Sequence, residues 1–226
     1  MGDIASWNEQ TKKYTTNQRM VDYLTRKLTE EEEFKNYGVP ECTSMLERVA
    51  RFVFSQVANG LEYLHYDALV ANRDVKPENI MFTTKEGGTN IYSHDRAQIT
   101  DFTTVFKLKP ETADIVKISG MQGSPAFMAP ETIRDFQYKP RPLDVWALGV
   151  SIYAFMFGDM PFWGEQVEDI NQEIINKQLN LDDKEVSQEF KDMLMALLEK
   201  DPEVRPTIRE AKERFAWLRR PVFPSE

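Results

Sequence analysis

A carboxylate, an ammonium and an amide fall within six residues of one another in Asn72-Arg73-Asp74-Val75-Lys76-Pro77-Glu78-Asn79, which contains the pattern D-x-K-x-x-N. A carboxylate can take up a proton, and an ammonium can offset developing negative charge. Carboxylate and amide oxygens are hard donors of the kind Mg2+ requires. Three fixed residues alone match by chance in about one chain in forty of this length, so the pattern gains weight only from its context. By itself it is a charged loop between a helix and a strand. The context is a series of further motifs in order: Asp101-Phe102-Thr103, Ala129-Pro130-Glu131, Asp144-Val145-Trp146-Ala147-Leu148-Gly149, and Arg205 within Asp201-Pro202-Glu203-Val204-Arg205-Pro206. Five such motifs in this order leave coincidence little room.

These residues need elements to position them. Ser44-Met45-Leu46-Glu47 has the form of a capping box, in which the serine hydroxyl takes one free backbone N–H and the glutamate reaches back to another. The helix that follows runs to about His65, because Leu46, Ala50, Val53, Val57, Leu61 and Leu64 recur at spacings of three and four. Asn79–Thr83 and Ala97–Phe102 read as short strands, with Gly87-Gly88 and Asn90 marking turns between them. Helical spacing returns over 144–157, 166–177, 187–199 and 207–217. The charge-free run Val145–Gly158 would reach only about 21 Å at about 1.5 Å per residue, too short for a bilayer. It reads as a helix buried on all sides. Residues 1–43 read as polar and irregular. Within them Val21, Leu24 and Leu28 can share one helix face, Glu30–Glu33 is a solvated acidic run, and Gly38 and Pro40 punctuate the chain.

Composition narrows the classes. With 226 residues, 41% hydrophobic and 29% charged, the chain is an ordinary globular protein and not a disordered one. Its 37 acidic against 28 basic residues give a net charge of -9, which argues against a nucleic-acid partner. One cysteine, Cys42, cannot form an internal disulfide, and two histidines make no zinc cluster. A reducing, cytoplasmic location is expected, with no transmembrane segment.

The ordered motifs resemble the larger, C-terminal lobe of a eukaryotic-type protein kinase, over about Ser44 to Leu218. Lys76-Pro77-Glu78-Asn79 together with Ser124 resembles the serine/threonine class. Ala50-Arg51-Phe52, Gly60-Leu61-Glu62-Tyr63-Leu64-His65-Tyr66 and Pro125-Ala126-Phe127-Met128-Ala129-Pro130-Glu131 resemble the calcium/calmodulin-dependent protein kinase kinases. The resemblance implies ATP and Mg2+ as cofactors, protein substrates, and a calmodulin-type or other regulatory partner. It implies that Asp74 accepts the proton of the substrate hydroxyl and that Lys76 steadies the transferred phosphoryl group. Asn79 and Asp101 would hold Mg2+. Ser124 would hydrogen-bond the catalytic aspartate from the substrate-docking loop. Met81 would lie below the adenine ring, with plain core packing as the equal alternative. Glu131 and Arg205 would form a buried ion pair, and Asp144 would hold the catalytic loop through its backbone. Arg73 can pair with a phosphate in the activation segment of such kinases, and Ser119 is the nearest hydroxyl for that role.

Two positions depart from the pattern. Asn72 stands where a histidine is usual, which should weaken a stack on Phe102. Thr103 stands where glycine is usual, and a β-branched residue resists conformations that glycine permits. Neither change removes a proton acceptor or a metal ligand. The connection from Asn79 to Asp101 is long, consistent with a hairpin insertion around Lys85–Arg96. No G-x-G-x-x-G occurs, and Lys12, Lys13, Lys27 and Lys35 lie in no apolar strand pattern. The expected fold is therefore mainly α with a small β element: a kinase-like C-terminal lobe whose N-terminal small lobe is missing. The expected units are 1–43 (irregular), 44–218 (kinase domain) and 219–226 (tail). Two functions remain open at this point, a serine/threonine kinase and a catalytically inactive kinase-like binding module.

Overall fold

The computed structural model of the protein describes residues 2–30, 42–84, 95–120 and 123–219. In chain order its elements are β1 (Gly2–Asp3), β2 (Ala5–Asn8), β3 (Lys13–Thr16), α1 (Gln18–Glu30), α2 (Met45–Tyr66), β4 (Val70–Ala71), β5 (Ile80–Thr83), β6 (Arg96–Ile99) and β7 (Phe106–Lys107). Then follow α3 (Pro130–Arg134), α4 (Pro140–Phe157), α5 (Val167–Asn176), α6 (Gln188–Leu197) and α7 (Ile208–Arg214). Short 3-10 turns occupy 77–79, 125–127 and 216–218.

Ser44 starts α2 as expected, its Oγ accepting the Glu47 N–H at 3.1 Å. The second half of the capping box does not form. Glu47 is fully buried and accepts instead from the Thr43 N–H and hydroxyl and from the Ser187 N–H and hydroxyl, tying the start of α2 to the start of α6. The helix-to-helix contact wins because it satisfies a buried carboxylate that a reach back to one backbone N–H would leave half-paired.

α4 is the central helix. Every residue from Asp144 to Met156 is buried, so the uncharged run is a core helix. It begins at Pro140, four residues earlier than the charge pattern indicated. Prolines at 140 and 142 hid that start, although proline fits the first turn, where its missing N–H is unpaired in any case. Gly158 ends the helix in the left-handed conformation. α2 packs on α4, and Phe54 meets Phe155 edge-to-face with centroids 5.5 Å apart.

Residues 2–30 are ordered, which corrects their reading as irregular. β2 and β3 form an antiparallel hairpin, and β1 pairs with β5, which in turn pairs with β6. Asn8 builds the hairpin turn without glycine, its Oδ1 accepting the Gln10 and Thr11 N–H groups. α1 buries Met20, Tyr23, Leu24 and Leu28, so two of the three residues expected on its apolar face are core and Val21 is half-buried. The hairpin is fastened to the end of α4: the Tyr14 N–H donates to the Gly158 carbonyl at 3.0 Å and the Thr16 hydroxyl to the Phe155 carbonyl at 3.1 Å. Helix is the commonest element of the fold, and the sheets are small. The acidic run past Glu30, Gly38, Pro40, the turn at Gly87-Gly88 and Asn90, most of the 85–96 insertion and residues 220–226 of the tail lie outside the described residues.

Candidate active site

Two strand pairs bring the chemistry-bearing residues together. β4 pairs with β7 and delivers the chain into Asn72–Asn79, while Ile80↔Ile99 register in β5 and β6 sets Asn79 and Asp101 at the same end of a hairpin. Thr100 closes that end, its N–H reaching the Asn79 carbonyl at 2.7 Å.

Asp144 organises the loop from below. Fully buried at the start of α4, it accepts the Asn72 N–H at 2.8 Å and the Arg73 N–H at 2.7 Å. Its Oδ2 also lies 2.8 Å from Nε2 of His65, which is equally buried. Arg73 has φ +69°, so the chain reverses there, and the two bonds to Asp144 hold the reversal. The sequence places His65 at the end of α2 and within the Gly60–Tyr66 resemblance without assigning it a role.

Above this floor Asp74 is surrounded by donors. Its Oδ2 lies 2.9 Å from Lys76 Nζ and accepts the Asn79 Nδ2–H at 2.9 Å. The Ser124 hydroxyl approaches its Oδ1 at 3.4 Å, and Lys76 also donates to Ser124 Oγ at 3.0 Å. The Asp74 side chain is 10% exposed, enough for one face to meet solvent. Gly123 makes the approach of Ser124 possible. Its φ is +95°, and a Cβ there would lie 2.7 Å from the Arg73 carbonyl oxygen.

Asn79 donates from Nδ2 to both the carbonyl and the carboxylate of Asp74, which leaves Oδ1, its hard donor, turned away from those bonds. Asp101 is exposed, with φ +57°. Its Oδ1 accepts the Thr103 hydroxyl at 2.6 Å and the Thr103 N–H at 3.0 Å. Those two bonds, hydroxyl first, hold its carboxyl below the usual range, and the charge of Lys76 adds to them. Asn72 spends its amide on backbone, accepting the Asp74 N–H and donating to the Asp101 carbonyl at 3.3 Å. Phe102 is 49% exposed.

Met81 points away from the core at 39% exposure, between buried Ile80 and Phe82, so core packing is not its role. Glu131 and Arg205 are both fully buried and joined by two parallel bonds of 2.8 and 2.9 Å. Ser119 is exposed, flanked by Ile118, which pairs with Tyr138, and by Gly120, whose carbonyl accepts the Tyr138 hydroxyl. Arg73 does not reach it by any described bond. Its Nε donates to the Thr104 carbonyl at 2.6 Å.

Tyr14, from the β2–β3 hairpin, donates its hydroxyl to Glu78 Oε1 at 2.8 Å. Burial, then the charge of Glu78, pushes its phenol well above the ordinary range. Trp7 stands on Tyr14 and on Trp163, with centroids 5.3 and 4.8 Å apart. Sequence reading missed this buttress, because only the alternation in two four-residue strands could have signalled it. Among the described residues no group of three or more His, Cys, Asp or Glu gathers as a metal site, and no helix is long and apolar enough to cross a membrane.

The protein kinase domain family model matches residues 10–216. The chain belongs to the protein kinase family. The match takes in β3 and α1 as well as the helices from α2 onward, and its extent gives no support to a missing small lobe. Among curated relatives, serine/threonine-protein kinase ssp1 of Schizosaccharomyces pombe is 36% identical over 172 residues, 72% of this chain and 25% of that protein. The calcium/calmodulin-dependent protein kinase kinase of Caenorhabditis elegans is 30% identical over 186 residues, 80% of this chain and 32% of that protein. Calcium/calmodulin-dependent protein kinase cmkA of Emericella nidulans is 31% identical over 182 residues, 79% of this chain and 41% of that protein. The kinase chain thus spans a quarter to two-fifths of these relatives.

Proposed function

We propose that the chain transfers the γ-phosphoryl group of ATP to serine or threonine hydroxyls of protein substrates, with Asp74 accepting the hydroxyl proton. The observation that carries this reading is the convergence of Lys76, Asn79 and Ser124 on the Asp74 carboxylate. Asn79 holds Asp74 in place, and Lys76 sits where it can offset charge on a phosphoryl group between Asp74 and Ser124. Asn79 Oδ1 and Asp101 Oδ2 suit Mg2+, which takes one or two side-chain oxygens and completes its octahedron with phosphates and water. When bound, Mg-ATP supplies the phosphoryl group and neutralises part of its charge.

The described residues supply the catalytic-loop and metal side of the nucleotide cleft, as the large lobe of a kinase would. The exposed side chains of Met81 and Phe102 support this placement, with Met81 facing the adenine. Ser119 is proposed as an activation-segment phosphosite read by Arg73, which would have to exchange Thr104 for the phosphate. The relatives' names support a calmodulin-type or other regulatory partner.

The test is phosphate transfer to a serine/threonine protein substrate by the chain joined to the ATP-covering lobe of a kinase relative. Asp74→Asn should lower the rate by about 10²–10⁴ with the melting temperature nearly unchanged. A catalytically inactive binding module requires no transfer above background in either form. Equal transfer by both forms would remove Asp74 from the role of base.

A further inference from the structure

The β2–β3 hairpin lies against the acceptor side of the site as well as against the core. Its Tyr14 side chain is buried and reaches between two turns. On one side the hydroxyl donates to Glu78 Oε1 at 2.8 Å, in the 77–79 turn that follows Lys76 and ends in Asn79, both partners of the Asp74 carboxylate. On the other side the ring meets Phe127 edge-on, with centroids 6.2 Å apart, in the 125–127 turn that follows Ser124. β2 packs on the same 77–79 turn, and the Tyr14 N–H is fixed to the Gly158 carbonyl, so the side chain is held in place from its own backbone. A polypeptide that brings a hydroxyl to Asp74 and Ser124 must run beside these two turns, and Tyr14 fills the space between them.

Glu78 is what that space would otherwise offer. Its second oxygen, Oε2, is buried with no hydrogen-bond partner among the described residues. Lys76, two residues before it, is committed to Asp74 and Ser124. A buried carboxylate oxygen without a donor is costly, and its most favourable partner is a guanidinium, whose parallel N–H groups take both oxygens at once. Tyr14 prevents that pairing. Its hydroxyl occupies Oε1 and brings neither a second donor nor a charge. Burial, then the charge of Glu78 and, more weakly, that of Asp74 keep the phenol protonated, so the donor is not lost by ionisation. We propose that Tyr14 is a specificity-determining residue for the protein substrate: it fills the place beside Glu78 that a substrate arginine would take, so that the acceptor site gains nothing from a basic residue near the serine or threonine. The inference rests on the reading of Asp74 and Ser124 as the acceptor side of a kinase site.

The experiment uses the chain itself and reads peptide binding without catalysis. Short peptides with a central serine carry arginine, or its uncharged isostere citrulline, at one position at a time. Amide shifts of Ser124 and Phe127 are followed in isotope-labelled protein. In the parent chain the two forms should bind within about threefold of each other at every position, the little that an exposed ion pair contributes. Tyr14→Leu keeps an apolar side chain but removes the hydroxyl and the ring edge. It should favour arginine by about tenfold or more at one position, as hydrogen bonds to a charged group would. Adding Glu78→Gln to that variant should abolish the gain. Tyr14→Phe, which keeps the ring against Phe127, should move in the same direction by a smaller factor, and it decides the question if Tyr14→Leu does not fold. A parent chain that already favours arginine by about tenfold overturns the role of Tyr14, as does a folded Tyr14 variant with no gain, and both results leave Asp74 and Ser124 as the acceptor side. If neither peptide shifts Ser124 or Phe127 in the parent chain or the variants, the substrate does not bind at this face, and the reading beneath the inference falls with it.

Discussion

The floor of the catalytic loop and the end of the β5–β6 hairpin hold their residues by opposite means. Asp144, His65, Glu131 and Arg205 are buried, and each makes contacts across long stretches of chain, so the loop rests on the same helix that forms the core. Asp101 and Thr103 are exposed and hold each other two residues apart. A buried network resists displacement because breaking any one bond leaves a desolvated polar group. A local surface turn resists little, because water can replace its bonds. The Asp74 side of the candidate site is therefore set by folding, and the Asp101 side remains open to adjustment.

Mutations can break this contrast. The largest effect expected is Arg205→Ala. It leaves Glu131 as an uncompensated buried charge and removes the stack of the guanidinium on Trp146, at an expected cost of about 3–5 kcal/mol in chemical denaturation. Activity should fall only as the folded fraction falls, the reverse of Asp74→Asn, which should spare stability. If Arg205→Ala melts at the parent temperature, the buried network is not what supports the loop.

Tyr14→Phe should cost less, about 1.5–3 kcal/mol, the range for a hydrogen bond to a charged group. Glu78 would then have neither oxygen paired among the described residues, since its Oε2 is already buried without a partner. The loss should appear in the melting temperature of the chain, and a neutral result would detach the β2–β3 hairpin from the support of the catalytic loop. On the open side, this chain alone should bind Mg-ATP weakly. A large thermal shift at millimolar Mg-ATP, abolished by Asp101→Asn, would show the cleft to be more complete than its exposed Met81 and Phe102 indicate. Smallest of all, Ser119→Ala should change neither stability nor the fold. A loss of transferase activity in that variant, in the lobe-completed form, would support the phosphosite, and unaltered activity would remove it.

Much of the site was legible in the sequence because its chemistry depends on residue type and short spacing. Asp74, Lys76 and Asn79 lie in one loop, and Ser124 carries a hydroxyl that only a few residue types could replace. The core helix was legible because an uncharged run too short for a membrane has few other places to go. The N-terminal region was not legible. β1 and β2 are two and four residues long, and their stability comes from β5, α4 and Trp163, partners dozens of residues away or more. Glu47 was misread for the same reason: a capping box is a local rule, and Ser187 outcompeted it from across the fold.

Sequence alone determined which atoms are available for chemistry, since side-chain type sets proton affinity, charge and donor hardness wherever the residue lies. Only the tertiary structure decided which of those atoms are free to act. Asn79 turned its Nδ2 to Asp74, Met81 faced solvent and not the core, and Thr103 occupied one oxygen of Asp101. The physical reason is that a hydrogen-bonding group has few lone pairs and protons, and whichever neighbour the fold brings within about 3 Å takes them.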